Sequence, residues 1–543
     1  MYKILIFLFI GFYAMTTYAV PAKRERHTLT LSDGSTIEAT LMGDEMLHFY
    51  QTDDGRCLQC DSLGIARFVE ADMLRARWQA KAQKRQAART SRKGARSREQ
   101  AREPMIGSKR GLVILVQFPD VSFKYSNDTF RSFFNEDGYS DNINIGSVRD
   151  YFRAASYGLF DFSFDVAGPV TMSHSLSYYG GNNSNGDDKL PATMVAEAVR
   201  MIDPDVDFSK YDWDGDGEVE QVFLIHSGYD EAQSGKGTDI WSHAWTLSEA
   251  KDEGDGQGPV TVDGVRIDSY ATSSELRGRT GNYIAGIGTA CHEFSHCFGL
   301  PDFYDTVGSS FGMRTWDLMD YGSYNGNGGT PAGFTSYERA FCGWLELTEL
   351  TDPVAIQDMP ALTSEPVAYI LRNSGKEDEY FLFENRQKQG WDNRLDGHGL
   401  LILHVDYDEQ AWAVNTVNTV RSHQRMTIVP ADNIASSYTT AGDPWPGTSG
   451  KNAFYDGVVS AATFYNNNAE GNKLINHTIT EISESATGHI SFIFDEEALG
   501  LGAIQNAKCK MQNDVYDLSG RKWTEASRGI AIQEGKKKLR LNP

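Results

Sequence analysis

His292 and His296 stand four residues apart, with Glu293 between them, in the stretch Thr289-Ala-Cys-His-Glu-Phe-Ser-His-Cys-Phe-Gly-Leu-Pro-Asp-Phe-Tyr304. On a helix this spacing puts two imidazoles one turn apart, so both can bind a single zinc ion as neutral ligands. Glu293 lies about 100° further round the helix, where a carboxylate can take a proton from a metal-bound water. A catalytic zinc takes three protein ligands and keeps one position open. Gly299 can end the helix in a left-handed turn and Pro301 prevents it from resuming, so the chain must double back. Asp302 is then the first ligand-type side chain beyond the turn, with Asp305 as its rival. No glutamate occurs between Glu293 and Glu338, which removes the arrangement in which a following helix supplies the third ligand. The chemistry read from this stretch is zinc-assisted hydrolysis of peptide bonds, with Glu293 as general base.

A bare H-E-x-x-H also arises by chance on polar helix faces, and the surrounding motifs argue against that here. The segment resembles the metzincin peptidases, and its aspartate in the third place is similar to the snapalysin variant of that clan. Trp316-Asp-Leu-Met-Asp-Tyr-Gly322 has the form of the methionine turn that this resemblance implies beneath the zinc. Tyr321, two residues after Met319, is similar to the astacin tyrosine, which implies a part in holding the oxyanion. Together with Leu300-Pro-Asp-Phe-Tyr-Asp305 and Gly343-Trp-Leu345, the best overall resemblance is to the immune inhibitor A family of secreted metallopeptidases. It implies an α+β fold: a zincin, metzincin-like catalytic domain of twisted sheet and active-site helix, an N-terminal β-rich propeptide and a C-terminal β-sandwich.

Asp212-Trp-Asp-Gly-Asp-Gly-Glu-Val-Glu220 is a second chemical motif. Asp212, Asp214 and Asp216, with Gly217 for the sharp turn, take the first positions of a calcium loop; Glu218 offers its carbonyl and Glu220 a further ligand. Phe223 occupies the place of the bidentate glutamate, so the loop is a short kind without a following helix; the plain alternative is an acidic surface turn. Gly308-Ser-Ser-Phe-Gly312 fits a nucleophile elbow only in letters, because no strand precedes it and no helix follows. Trp241 and His243 read as packing or cleft-lining residues without chemistry. Cys291 and Cys297 read as buried thiols, six residues and about 9 Å of helix apart. Cys57 and Cys60 read as a small disulfide or a metal contact.

These motifs need elements to position them. Lys3 and the apolar run Ile4–Met15 read as a signal peptide, residues 1–19, cleaved after about Ala19. No later stretch is long and apolar enough to span a bilayer. Residues 20–110 form a propeptide: a small β-rich unit with strands near 27–34 and 46–50, then a basic linker from Lys81 to Arg110 with eleven basic and two acidic residues, exposed to an activating protease. A helix is the other reading of part of that linker. The apolar run Gly111–Phe118 begins the catalytic domain, 111–348. Residues 349–495 alternate as strands of a β-sandwich, in which Glu384, Arg386 and Asp406 read as salt-bridged surface positions or borders of the cleft. Residues 496–543 resemble a type IX sorting tail, or form a last hairpin.

The net charge of −23, from 51 basic and 74 acidic residues, disfavours a nucleic-acid partner and suits an exported, well-hydrated protein. The function expected is a secreted endopeptidase acting on protein substrates and made as a latent precursor, with zinc for catalysis and calcium for structure. The alternative is a non-catalytic surface-binding protein on the same scaffold. Two latency plugs are open: Asp44, which resembles the aspartate switch of astacin propeptides, and a thiolate of Cys57 or Cys60.

Overall fold

The structure is a computed structural model. It describes residues 18–61, 64–90, 104–141, 143–183, 186–306 and 310–495, with three short strands beyond them. Most of the expected leader, the core of the basic linker, most of the C-terminal tail and part of Gly308–Gly312 lie outside the described residues.

The sheet that carries the site is six-stranded. Its strands are β1 (Tyr18–Ala19), β7 (Gly107–Gln117), β8 (Phe160–Thr171), β9 (Val222–Tyr229), β10 (His243–Thr246) and β11 (Ser269–Leu276), in the order β1-β10-β11-β9-β7-β8. β8, β7, β9 and β11 run parallel, β10 is antiparallel to β11, and β1 is antiparallel to β10. β7 is an inner strand beside the edge strand β8 and is apolar on both sides, as a strand covered on two faces must be. Val113 and Leu115 face one hydrophobic cluster, Leu112, Ile114 and Val116 the other. This partition is the period of two made visible. The first cluster is covered by helices α2 (Asn127–Asn135) and α3 (Val148–Ala155), which bury Phe130, Phe133, Phe134, Tyr151 and Phe152 at helical spacing. Ser126 caps α2, and Ser147 with Asp150 forms a capping box on α3.

Between β1 and β7 lies a closed barrel of β2 (Arg26–Leu31), β3 (Thr36–Gly43), β4 (His48–Gln51), β5 (Cys57–Cys60) and β6 (Ile65–Val69). Its core, with Leu29, Ala39, Leu41, Tyr50 and Leu58, is continuous with Val20, Ala22, Ala232 and Trp241, so the barrel packs on the catalytic unit. Helix α1 (Ala71–Thr90) follows. The beginning of the basic stretch is therefore helical, and Lys81 is tied to Asp187 at 2.6 Å, because long aliphatic stems favour helix even without a continuous apolar face. Cys57 and Cys60 are not joined: both thiols are free along β5, where residues three apart lie about 10 Å apart, beyond disulfide reach.

After the active-site region, a five-stranded sheet built on β12 (Lys376–Arg386) and β13 (Gly399–Asp406) buries one face, with Leu382, Leu401 and Leu403, in the catalytic core. Its other face, with Phe381, Phe383, Leu400 and Ile402, shares a second core with a three-stranded sheet that includes β14 (Ile490–Phe494). Among the described residues no helix is long and apolar enough to cross a membrane.

Candidate active site

The helix Ile287–Cys297, α4, carries the two histidines, and nearly all of it is buried. Small residues let it in: a Cβ on Gly288 would collide with the Ser323 carbonyl and one on Gly286 with the backbone of Gly328. At its end Gly299 adopts φ +90° and donates its N–H to the His296 carbonyl, the left-handed exit that glycine alone makes at no steric cost. The chain then turns back, and Phe303 N–H bonds the Met319 carbonyl at 2.8 Å. Asp302 thereby comes under the histidines.

His292 Nε2, His296 Nε2 and a carboxylate oxygen of Asp302 lie within 4.8 Å of one another. Asp302 Oδ1 is 3.1 Å from His292 Nε2 and 3.7 Å from His296 Nε2. These three atoms and Glu293 Oε2 are buried. Converging buried polar atoms cost free energy unless something answers their charge, and a divalent cation would do so: two imidazole nitrogens and a carboxylate are a donor set that suits zinc. Asp305 does not join this group; it accepts the Ser310 N–H at 2.6 Å.

Each ligand is held from behind. His292 Nδ1 meets the Leu318 carbonyl and His296 Nδ1 the Leu300 carbonyl, both at 2.8 Å, which fixes the tautomer that leaves Nε2 for metal. Burial and the neighbouring His292 lower the pKa of His296, keeping it a neutral ligand. Asp302 is gripped twice by Asn415, whose Nδ2 donates to Asp302 Oδ2 at 2.6 Å and whose Oδ1 accepts the Asp302 N–H at 2.9 Å. Burial, then the charges of Asp302 and Glu45, push the Glu293 carboxyl well above its ordinary range; a cation on the three ligands acts in the opposite direction.

Met319 is fully buried beneath the histidines' helix, in the same cluster as Trp316 and Leu318. Its turn is buttressed by Arg386, also fully buried, which donates to the Trp316 and Gly333 carbonyls at 3.1 Å, to Glu384 at 3.0 Å and to Asp392 at 2.7 Å through two nitrogens. Arg386 and Glu384 are therefore neither surface positions nor cleft borders. A guanidinium presents five donors in a fixed fork and so can tie two loops and two carboxylates at one point. Asp406 is buried too, beside Lys376, His423 and Arg425.

Segment 18–25 runs across this centre. Val20 N–H donates to Glu293 Oε1 at 3.1 Å, Val20 is fully buried, and Arg24 Nε donates to the Tyr321 hydroxyl at 2.8 Å while stacking on its ring at 4.7 Å. Asp44 is buried, accepts the Met46 and Leu47 N–H groups, and lies with Oδ2 3.4 Å from the Tyr304 hydroxyl. Cys57 is buried and Cys60 half-buried on β5.

At the acidic loop, Asp212, Asp214 and Asp216 bring three carboxylate oxygens within 4.8 Å of one another. Asp212 accepts the N–H groups of Gly215 and Gly217 at 2.8 and 2.9 Å. Glu218 turns to Arg266. Glu220 spends its carboxylate on the Trp213 N–H, and burial raises its pKa to about 7.

The sequence gives no sign of Asn415 or of the path of residues 18–24, and it marks Arg386 and Trp241 only as surface, packing or cleft-lining positions. No local pattern marks Asn415; it becomes visible only because the chain returns 113 residues later to Asp302.

Residues 106–345 match the family described as immune inhibitor A peptidase M6, catalytic domain. The pre-pro-metalloprotease PrtV of Vibrio cholerae serotype O1 is 26% identical over 291 residues, covering 44% of this chain and 30% of that protein. Immune inhibitor A of Bacillus thuringiensis subsp. alesti is 27% identical over 274 residues, covering 42% of this chain and 39% of that protein. The chain thus spans about a third of the length of these curated relatives.

Proposed function

We propose, on the premise that residues 106–345 form a catalytic domain of the immune inhibitor A peptidase M6 family, that the chain is a zinc-dependent metalloendopeptidase of protein substrates. The observation that supports this most is the convergence of buried donor atoms of His292, His296 and Asp302, within 4.8 Å of one another, beside Glu293. Zinc held there would polarise the scissile carbonyl and supply a nucleophilic water at neutral pH. Glu293 accepts the proton of that water and returns it to the leaving amine. Tyr321, once free of Arg24, donates its hydroxyl to the developing oxyanion. Burial of the whole centre keeps these charges in a medium where they act strongly.

The precursor is latent in this reading. Its support is that Val20 sits on Glu293 and Arg24 on Tyr321, so the two groups that would handle the proton and the oxyanion are both engaged. The Vibrio relative, named a pre-pro-metalloprotease, accords with a precursor removed in stages by an activating protease. Export through a leader in residues 1–19, delivery by the tail from 496, and a sandwich formed by 349–495 belong to the same proposal. So does a calcium ion at Asp212, Asp214 and Asp216, with Glu218 and Glu220 as weaker candidates.

The test is cleavage of casein or gelatin by the processed chain. Activity should vanish with a zinc chelator and in Glu293→Gln, and return when zinc is restored to the parent chain. Activity that survives either change sinks the proposal and leaves the surface-binding alternative.

A further inference from the structure

The segment that crosses the centre lies in an extended, registered path. Ala19 pairs with His243 and Tyr18 with Ala244 in antiparallel register on β10, which is the sheet edge once β1 is set aside. The next amide along, Val20 N–H, is the one that meets Glu293 Oε1 at 3.1 Å. A carboxylate that returns a proton to the leaving amine must have one substrate nitrogen within hydrogen-bond reach. The Val20 nitrogen therefore stands where the leaving amine of a scissile bond would be, with Val20, Pro21 and Ala22 after the cut.

Two side chains of the catalytic unit then hold consecutive carbonyls beyond that bond. Trp241 Nε1 donates to the Val20 carbonyl at 3.1 Å, and the Tyr324 hydroxyl donates to the Pro21 carbonyl at 2.8 Å. Neither contact involves the barrel. Trp241 is held by the catalytic unit through its own backbone: its N–H meets Asp188 Oδ2 at 3.0 Å and its carbonyl takes His243 Nδ1 at 2.7 Å, while the barrel residue His48 covers its ring at 4.6 Å. Tyr324 comes from the short helical segment Tyr321–Gly328 that follows the methionine turn. Every peptide has a carbonyl at each residue, so these contacts recognise extended backbone whatever its side chains, as strand-addition sites do.

We propose that Trp241 and Tyr324 are substrate-binding residues, taking the carbonyls of the first and second residues after the cut, so that the enzyme requires an extended polypeptide continuing at least two residues beyond the scissile bond. This rests on the peptidase reading above and adds the substrate's required length and the residues that measure it. Glu293 takes the leaving nitrogen, Trp241 the first carbonyl and Tyr324 the second.

The experiment uses the full chain, activated by limited proteolysis, and two peptides of one sequence. One ends as an amide one residue after the cut; the other continues one residue further. The parent chain should cleave the longer with kcat/KM about tenfold higher, the gain of one hydrogen bond to a phenol. In Tyr324→Phe that advantage should shrink to within about twofold. Trp241→Phe should raise KM for both. An advantage that persists in Tyr324→Phe, or an equal fall for both peptides, overturns the assignment. If the parent chain cleaves neither peptide, the peptidase reading fails separately. Calorimetric binding of the same pair to the full chain then decides: a tighter longer peptide whose advantage Tyr324→Phe erases supports the assignment, and equal binding overturns it.

Discussion

Asn415 and Asp302, 113 residues apart, form a closed pair in which amide donates to carboxylate at 2.6 Å and backbone N–H donates to amide oxygen at 2.9 Å. Asn415 sits just past the short helix Glu409–Ala413 with φ +53°, a left-handed conformation that asparagine tolerates better than most residues. The third member of the His292, His296 and Asp302 set is thus aimed by a residue outside the segment that carries the other two. Asn415→Gly, which keeps the backbone shape and removes the amide, should weaken zinc affinity by about 10–100-fold, the usual effect of losing a ligand's outer partner. Chelator competition measures it; unchanged affinity would show that Asp302 is held by its turn alone.

Latency should yield to the residues that touch the centre. Arg24→Ala removes an exposed charged hydrogen bond and a ring contact from Tyr321, a loss of about 1 kcal/mol, so the unprocessed chain should gain about fivefold in peptide cleavage. Asp44→Asn keeps an acceptor for the Met46 and Leu47 N–H groups while removing the charge that faces Asp302, and should release activity with little loss of barrel stability. Cys57→Ser with Cys60→Ser should stay latent. Full latency in both Arg24→Ala and Asp44→Asn would reject a plug at either position.

Calcium at the acidic loop should raise the melting temperature, since a ligand selective for the folded state stabilises it by mass action. Asp214→Ala should abolish that response. It leaves the Asp212 contacts with Gly215 and Gly217 in place, so the fold itself should survive. A melting temperature indifferent to calcium would leave an acidic turn.

Acid stability should depend on Glu379. Burial by itself would raise this carboxyl, but the hydrogen bond and charge of His404, with the N–H of Tyr465 and the amide of Asn373, hold it down to about 2 from 4.5. A depressed carboxylate adds stability above its unfolded pKa and loses it as pH falls through the folded one. Unfolding free energy should therefore drop between about pH 4.5 and 2, and Glu379→Gln should flatten that drop while lowering stability at neutral pH. Parallel pH profiles for the two proteins would remove Glu379 from the account.

Local chemistry was legible in the sequence because it is local. The i, i+4 histidines, the glycine exit, the aspartate ten residues after His292 and the acidic loop are each set by helix or turn geometry within a dozen residues. So is the start of the sheet at β7, whose apolar run can only be a covered strand. Tertiary structure alone decided what acts across distance: that Asp302 and not Asp305 reaches the histidines, that Asn415 aims it, and that Arg386 lies buried behind the methionine turn. It also decided that Val20, with no chemistry of its own, lies on Glu293, and that Trp241 holds the chain there. The physical reason is that hydrogen bonds to backbone carbonyls and amides leave no trace in residue type. Every residue offers the same backbone partner, and only the path of the folded chain determines which one is met.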